Sequence, residues 1–282
     1  VDQATLARNK RVISLLLVAT FVVILNETLM SVAIPRLMTS FRIDADTAQW
    51  VSTAFMLTMA VLIPITGFLL QRYSTRAVFI AAMSLFSSGT LIAALAPGFA
   101  VLVVARVVQA SGTAIMMPLL MTTIMTIVPE ASRGRTMGNI SIVISVAPAI
   151  GPTIAGLILS VLAWRWMFIF VLPIAVASLA IGAVRMPNVT VPRKIPIDAA
   201  SIILSIPAFG GLVYGLVSFG DASAGESARW IPLGIGVAAL ASFILRQLLL
   251  QRTERSLLDL RTFASRDFTV AVAAMAISMM AL

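Results

Sequence analysis

A chain of 282 residues that is 60% hydrophobic and only 11% charged, with a mean hydropathy of +1.05, departs from the composition of soluble domains, which hold about 45–50% apolar and about 25% charged residues. It has no cysteine and no histidine, which excludes disulfides, thiolate or imidazole metal sites, thiol nucleophiles and imidazole proton relays. The net charge of +9 would suggest a nucleic-acid partner only if the basic residues formed a solvated patch.

About 20 largely apolar residues cross the hydrocarbon of a bilayer. In chain order such runs are predicted at 12–34, 48–70, 77–96, 99–126, 137–160, 167–185, 199–218 and 231–250, and a ninth opens at about Phe268. The connections carry turn and breaker residues, as in "QRYSTR", "APG", "VPEASRGR" and "PNVTVPRKIP". The expectation is an all-α, polytopic membrane protein whose sequence stops within its ninth span. Ser31-Val32-Ala33 in the first run resembles a signal-peptidase site, but the run exceeds the usual apolar core of about 7–15 residues and Asn26-Glu27 interrupts it. It is therefore read as a span.

The charges set the orientation. With the amino terminus inside, the outer segments keep Arg36, Arg42, Arg165 and Arg229, Arg106 falls within a span, and the remaining fifteen of the 20 basic residues are cytoplasmic. Arg72, Arg133 and Arg193 are thus expected inside, and Asp221 and Glu226 outside. This is the positive-inside bias. The net charge reflects topology and attraction to anionic membrane lipids, and no nucleic-acid partner is expected.

ATP hydrolysis by a P-loop needs G-x-x-x-x-G-K-[ST], and the only lysines, Lys10 and Lys194, follow no glycine-rich loop. The expected energy source is an ion gradient, with no cofactor and no metal. Two ionisable residues lie deep within the first six spans: Glu27 and Arg106. Charges at that depth cost about 2.5–3.5 kcal/mol each on insertion scales and by default mark function. Glu27 lies eight residues before Pro35 and Arg106 eight residues after Gly98, so each sits roughly 12 Å from the same membrane face at 1.5 Å per residue. A structural ion pair joining spans one and four is the plainer alternative. "VAIPRLMTS" and "IMMPLLMTT" share Pro-x-Leu-Met-Thr, and Asn26 and Gln109 each precede that proline by nine residues. This is weak internal symmetry of the kind found in secondary transporters.

Several stretches then resemble one family. "LNETLMSVAIP" (25–35) is similar to the first-span pattern L-D-x-T-x-x-N-V-A-L-P. "GFLLQRYSTR" (67–76) resembles the loop signature G-x-L-a-D-R-x-G-R-[KR]. "RVVQASG" (106–112) resembles R-x-x-Q-G-x-G, and "APAIGPTIAG" (147–156) resembles the antiporter signature G-x-x-x-G-P-x-x-G-G. "WRWMF" (164–168) and "LLDLRTF" (257–263) fit as well. Over essentially its whole length the chain resembles the amino-terminal part of a major facilitator superfamily transporter, of the EmrB/QacA type of fourteen-span drug:proton antiporters.

The resemblance implies a bacterial cytoplasmic-membrane protein, not an enzyme, that exports drug-like amphiphiles in exchange for protons. It implies Glu27 and Arg106 as the coupling pair, and Asn26, Glu27, Gln109 and Met116 at the substrate. Gly67, Arg72, Arg76, Pro148, Gly151, Pro152 and Gly156 would govern conformational change. Independently of family, Ala147, Gly151 and Ala155 recur every four residues, a small-residue face that lets helices approach closely. Methionines such as Met56 and Met116 offer an adaptable apolar wall or plain packing. Two departures stand out: the loop acid of the family is Gln71 here, and the first-span acid is displaced from position 26 to Glu27, about 100° around the helix.

The implied organisation is a cytoplasmic terminus (1–11), a six-helix bundle (12–186), a cytoplasmic linker (187–198), two additional helices (199–250), a cytoplasmic loop (251–267) and the start of a second bundle (268–282). The missing carboxy-terminal half would be needed for function. An importer or symporter of the same fold, and a non-transport membrane scaffold, are the alternatives.

Overall fold

Within lipid a segment must satisfy its own backbone hydrogen bonds, so each apolar run closes into a helix. The computed structural model describes residues 3–190, 192, 198–220, 225–251 and 257–280. Six long helices come first: α1 (Gln3–Phe41), α2 (Ala45–Arg72), α3 (Thr75–Ala94), α4 (Phe99–Ile127), α5 (Glu130–Val161) and α6 (Arg165–Arg185). The seventh run is α7 (Ala199–Ser205), a π-helical turn at Ile206–Gly210 and α8 (Gly211–Gly220); α9 (Glu226–Gln251) comes next. A 3-10 turn at Leu260–Ala264 precedes α10 (Arg266–Met280). Eight segments among the described residues, counting α7 to α8 as one, are long and apolar enough to cross a membrane. Arg193, Lys194, Asp221, Arg252 and Arg255, assigned to a side by charge, lie outside the described residues.

The helices outrun the expected spans. α1 begins nine residues before the expected position 12 and passes through Pro35 to Phe41. α5 starts at Glu130 rather than 137 and passes through Pro148 and Pro152. Neighbouring helices re-satisfy the backbone groups that such prolines free. The starts of α2 and α3 are conventionally capped: the Asp44 carboxylate accepts from the Thr47 N–H at 2.7 Å, and the Ser74 hydroxyl from the Ala77 N–H at 3.3 Å.

α1 is the organising element, packed on α2, α4, α5 and α6. α3 and α4 meet through glycine. A Cβ on Gly89 would stand 2.5 Å from the Gln109 nitrogen, and one on Gly112 would collide with the Ala82 carbonyl. α1 and α5 meet along the small-residue face: Ala147 and Ala155 are fully buried, and a Cβ on Gly151 would collide with the Thr28 hydroxyl. The four-residue repeat thus serves close approach, as read from the sequence. Pro148, Pro152 and Gly156 are exposed on other faces of α5. The α8–α9 hairpin docks onto α2 through α7, the π turn and α8.

Arginine side chains close several helix carboxyl ends, where carbonyls are unpaired and the helix dipole is negative. Arg165 donates to the Ala96 carbonyl beyond α3 at 2.7 Å, Arg133 to Met125 in α4 at 3.0 Å and Arg36 to Leu159 in α5 at 3.1 Å. Arg76 donates to Ala183 in α6, and Arg261 to Gln251 in α9. These bonds also sort the two ends of the bundle. Asn9 donates to the Ile127 carbonyl at 3.0 Å, and Trp164 donates to the Ser40 hydroxyl at 3.1 Å at the opposite end. The chain therefore alternates between the two ends.

Candidate functional site

Three helices contribute one face each. On α1, Ser31 stands at i+4 from Glu27 and i+3 from Thr28, so the three border one sector; on α2, residues 52, 55 and 56 share a face as i, i+3 and i+4 positions. Together Glu27, Thr28, Ser31, Ser52, Phe55 and Met56, with Arg106 of α4, enclose a cavity of about 210 Å³. The two deep ionisable residues, placed at one level by counting residues, do line one space.

Arg106 is 1% exposed and is held from several sides. Its guanidinium carbon lies 3.9 Å from the centroid of the Phe55 ring. Its Nε donates to the Val51 carbonyl at 3.4 Å, one helical turn before Phe55. One terminal nitrogen donates to Gln109 Oε1. Gln109 in turn donates through Nε2 to Thr90 Oγ1 at 2.8 Å, and Thr90 to the Phe86 carbonyl at 2.7 Å. A desolvated cation over an aromatic face gains about 2 kcal/mol or more, and a hydrogen bond to a charged group about 1.5–3 kcal/mol. Together these offset the burial of the guanidinium. Glu27, half-buried, makes no ion pair with it: no Arg106 nitrogen comes within 4.0 Å of its carboxylate. The plainer alternative, a direct structural pair tying α1 to α4, is not what this geometry contains.

The other expected site residues separate. Asn26 points into the core, 1% exposed, and its Nδ2 has no hydrogen-bond partner. Gln109 and Met116 are fully buried and do not line the cavity; Gln109 holds Arg106, and Met116 packs in the main apolar core. Met56, 54% exposed, is the methionine at the cavity wall.

The loop signature lies at one end of α2 and α3. The Arg72 guanidinium lies 5.9 Å from the Phe68 and Tyr73 rings. The Arg76 N–H donates to Asn188 Oδ1 at 3.3 Å, and the Thr75 and Thr190 hydroxyls pair at 2.9 Å. Gly67 faces the backbone oxygen of Leu257, at 3.8 Å from a built Cβ. Sequence reasoning missed Thr28, Ser31, Ser52, Phe55 and Thr90. Their signal was available as hydroxyls and one aromatic at helical spacing on apolar spans, but only packing says which such residues converge.

Over residues 16–282 the chain matches the family described as Major Facilitator Superfamily. It is 46% identical over 259 residues, covering 92% of this chain and 54% of the other, to the uncharacterized MFS-type transporter YcnB of Bacillus subtilis (strain 168). It is 43% identical over 269 residues, 95% of this chain and 56% of the other, to the lincomycin resistance protein LmrB of Listeria monocytogenes. Among solved structures it is similar to the human organic anion transporter MFSD10, with a TM-score of 0.59 at 14% identity, over 79% of this chain and 59% of that one; that likeness concerns the fold alone. The chain spans about half the length of the curated relatives it matches.

Proposed function

This chain belongs to the Major Facilitator Superfamily, and from that premise we propose that the complete protein exports drug-like or antibiotic amphiphiles across the bacterial cytoplasmic membrane in exchange for protons. The observation that carries the reading is the cavity in which Glu27 faces the buried Arg106 without pairing with it. Similarity to a protein named for lincomycin resistance supports a drug as cargo. At about 210 Å³ the cavity is smaller than the roughly 300–1,000 Å³ of ordinary ligand pockets. It is one wall of a larger site, which the remaining length of the protein completes.

In the proposed cycle, drug binds while Glu27 is ionised and the site opens inward. A proton from outside then neutralises Glu27, leaves Arg106 as the unbalanced charge, and releases the drug. Arginine is suited to the fixed role because it does not lose its proton in proteins. Each inward proton contributes about 2.3 kcal/mol per 100 mV of membrane potential, so no cofactor is required. The loop signature and the α1–α5 seam at Gly151 would govern the conformational change. The test is Glu27→Gln in the full-length protein, with drug-induced proton release measured in detergent and export in cells. Both should be lost, with drug affinity lowered as in the protonated site; release and export at parental levels would overturn the proposal.

A further inference from the structure

The stretch 257–263, one of the matching motifs, has no place in the proposed cycle, yet the structure gives its beginning an unusual amount of buried polar bonding. The amide N–H groups of Leu257 and Leu258 both donate to Gln247 Oε1, at 2.8 and 3.3 Å. Gln247, fully buried in α9, donates through Nε2 to the Ser201 hydroxyl at 2.8 Å. Ser201, also fully buried, donates to Asp198 Oδ2 at the start of α7. Arg246 closes the series with two bonds to the Asp198 carboxylate, at 2.7 and 2.9 Å. Alongside, the Leu257 side chain packs with Phe243 and with Phe68 of α2, and a Cβ added at Gly67 would lie 3.8 Å from the Leu257 carbonyl oxygen.

A buried glutamine whose acceptor takes two backbone donors and whose amide is also used is a fully satisfied network, and such networks fix a single arrangement. We propose that Gln247 is a backbone latch that fastens residues 257–258 to α9 and to the Gly67 end of α2. α7, α8, α9 and this segment then move with the first six helices as one body, and the hinge toward the second bundle lies beyond Arg261, which also bonds the end of α9. The loop signature has lost its family acid at Gln71, and in this chain the packing of Leu257 with Phe68 joins that end of α2 to the segment leading onward.

The test uses the full-length protein with any cysteine beyond position 282 replaced, since residues 1–282 contain none. A Leu257→Cys thiol should react slowly with a maleimide in the folded protein. Adding Gln247→Met, which keeps the volume and removes the acceptor, should accelerate labelling at least about tenfold, equivalent to about 1.4 kcal/mol of lost latch. In parallel, oxidation of a Gly67→Cys/Leu257→Cys pair should form a cross-link, to the same extent with the membrane de-energised and energised, because both positions belong to one body. Unchanged labelling with Gln247→Met, failure of the pair to cross-link, or a cross-link that forms in one energised state only would each overturn the latch. The labelling measurement does not depend on which substrate is carried.

Discussion

Gly89→Ala probes the support behind Arg106 without touching the cavity. The added Cβ would stand 2.5 Å from the Gln109 nitrogen, 2.8 Å from the Ala105 carbonyl oxygen and 2.8 Å from the Gln109 Cα, all backbone atoms that cannot rotate away. Ordinary contact begins near 3.4 Å, so α3 and α4 must separate by several tenths of an ångström. Overpacking of this kind costs about 1–3 kcal/mol. The same shift strains the Gln109–Thr90 and Arg106–Gln109 bonds, worth roughly 1–3 kcal/mol together. Better helix propensity returns about 1 kcal/mol, leaving a net loss of roughly 1–5 kcal/mol. Thermal unfolding of the full-length protein followed by size-exclusion fluorescence reads this out, with a shift of roughly 2–4 °C for each kcal/mol. Gly138→Ala is the control, because its Cβ would meet nothing within 4 Å; it should be neutral or slightly stabilising. Equal melting of the two variants would refute the reasoning.

Arg106→Ala should abolish proton-linked export in well-expressed full-length protein, and Arg106→Lys should recover only part of it, because an ammonium cannot reach Val51, Gln109 and the Phe55 face together; normal drug-driven proton release by Arg106→Ala would count against the mechanism. Gly151→Ala should impair export through its collision with Thr28, and Gly151→Ala with Thr28→Ala should restore part of it; no recovery in a transport assay would detach α5 from the site. The Arg246 guanidinium bonded to Asp198 holds that carboxyl below its ordinary range. Stability from this pair is therefore complete above the unfolded Asp value of about 3.9 and is lost only as pH falls through the lower folded value; the factor by which Gln247→Met accelerates Leu257→Cys labelling should be equal at pH 5.5 and 7.5. An impermeant thiol reagent applied to intact cells should label Gly225→Cys and spare Gln71→Cys if the charge-derived orientation holds.

Much of the fold was legible because the membrane imposes one rule on every segment. Runs of apolar residues long enough to span become helices, and the break at "APG" locates a turn, whereas "EASRGR", read as a connection, opens α5. The illegible features all arise from packing. Pro35, Pro148 and Pro152 read as boundaries or loosened positions, yet α1 and α5 pass through them. The seventh run contains a π-helical turn at Ile206–Gly210, which no periodicity in the sequence announces. The arginines at helix ends read as topology, and Arg76 as part of the loop signature, whereas Arg36, Arg76, Arg133 and Arg165 also bind carbonyls that the ends of helices leave unpaired.

The site divides along the same line. Counting 1.5 Å per residue brought Glu27 and Arg106 to one depth, and the structure places them on one cavity. Depth, however, says nothing of azimuth. Asn26 and Glu27 are neighbours in sequence but about 100° apart around α1, and that angle sends the amide into the core and the acid into the cavity. Asn26 Nδ2 then remains without a bond among the described residues, and a buried unpaired donor costs about 1–3 kcal/mol. An aspartate at that position, as the family pattern has it, would carry a carboxylate into the same core, where an unpaired charge costs far more than an amide. Moving the acid by one residue therefore changes its surroundings entirely: at position 27 it lines a cavity shared with Thr28, Ser31, Ser52 and Arg106. Exchanging the two side chains, Asn26→Glu with Glu27→Asn, should consequently destabilise the full-length protein and fail to restore coupling, although composition and depth are unchanged. A folded, active exchange variant would show that depth alone suffices.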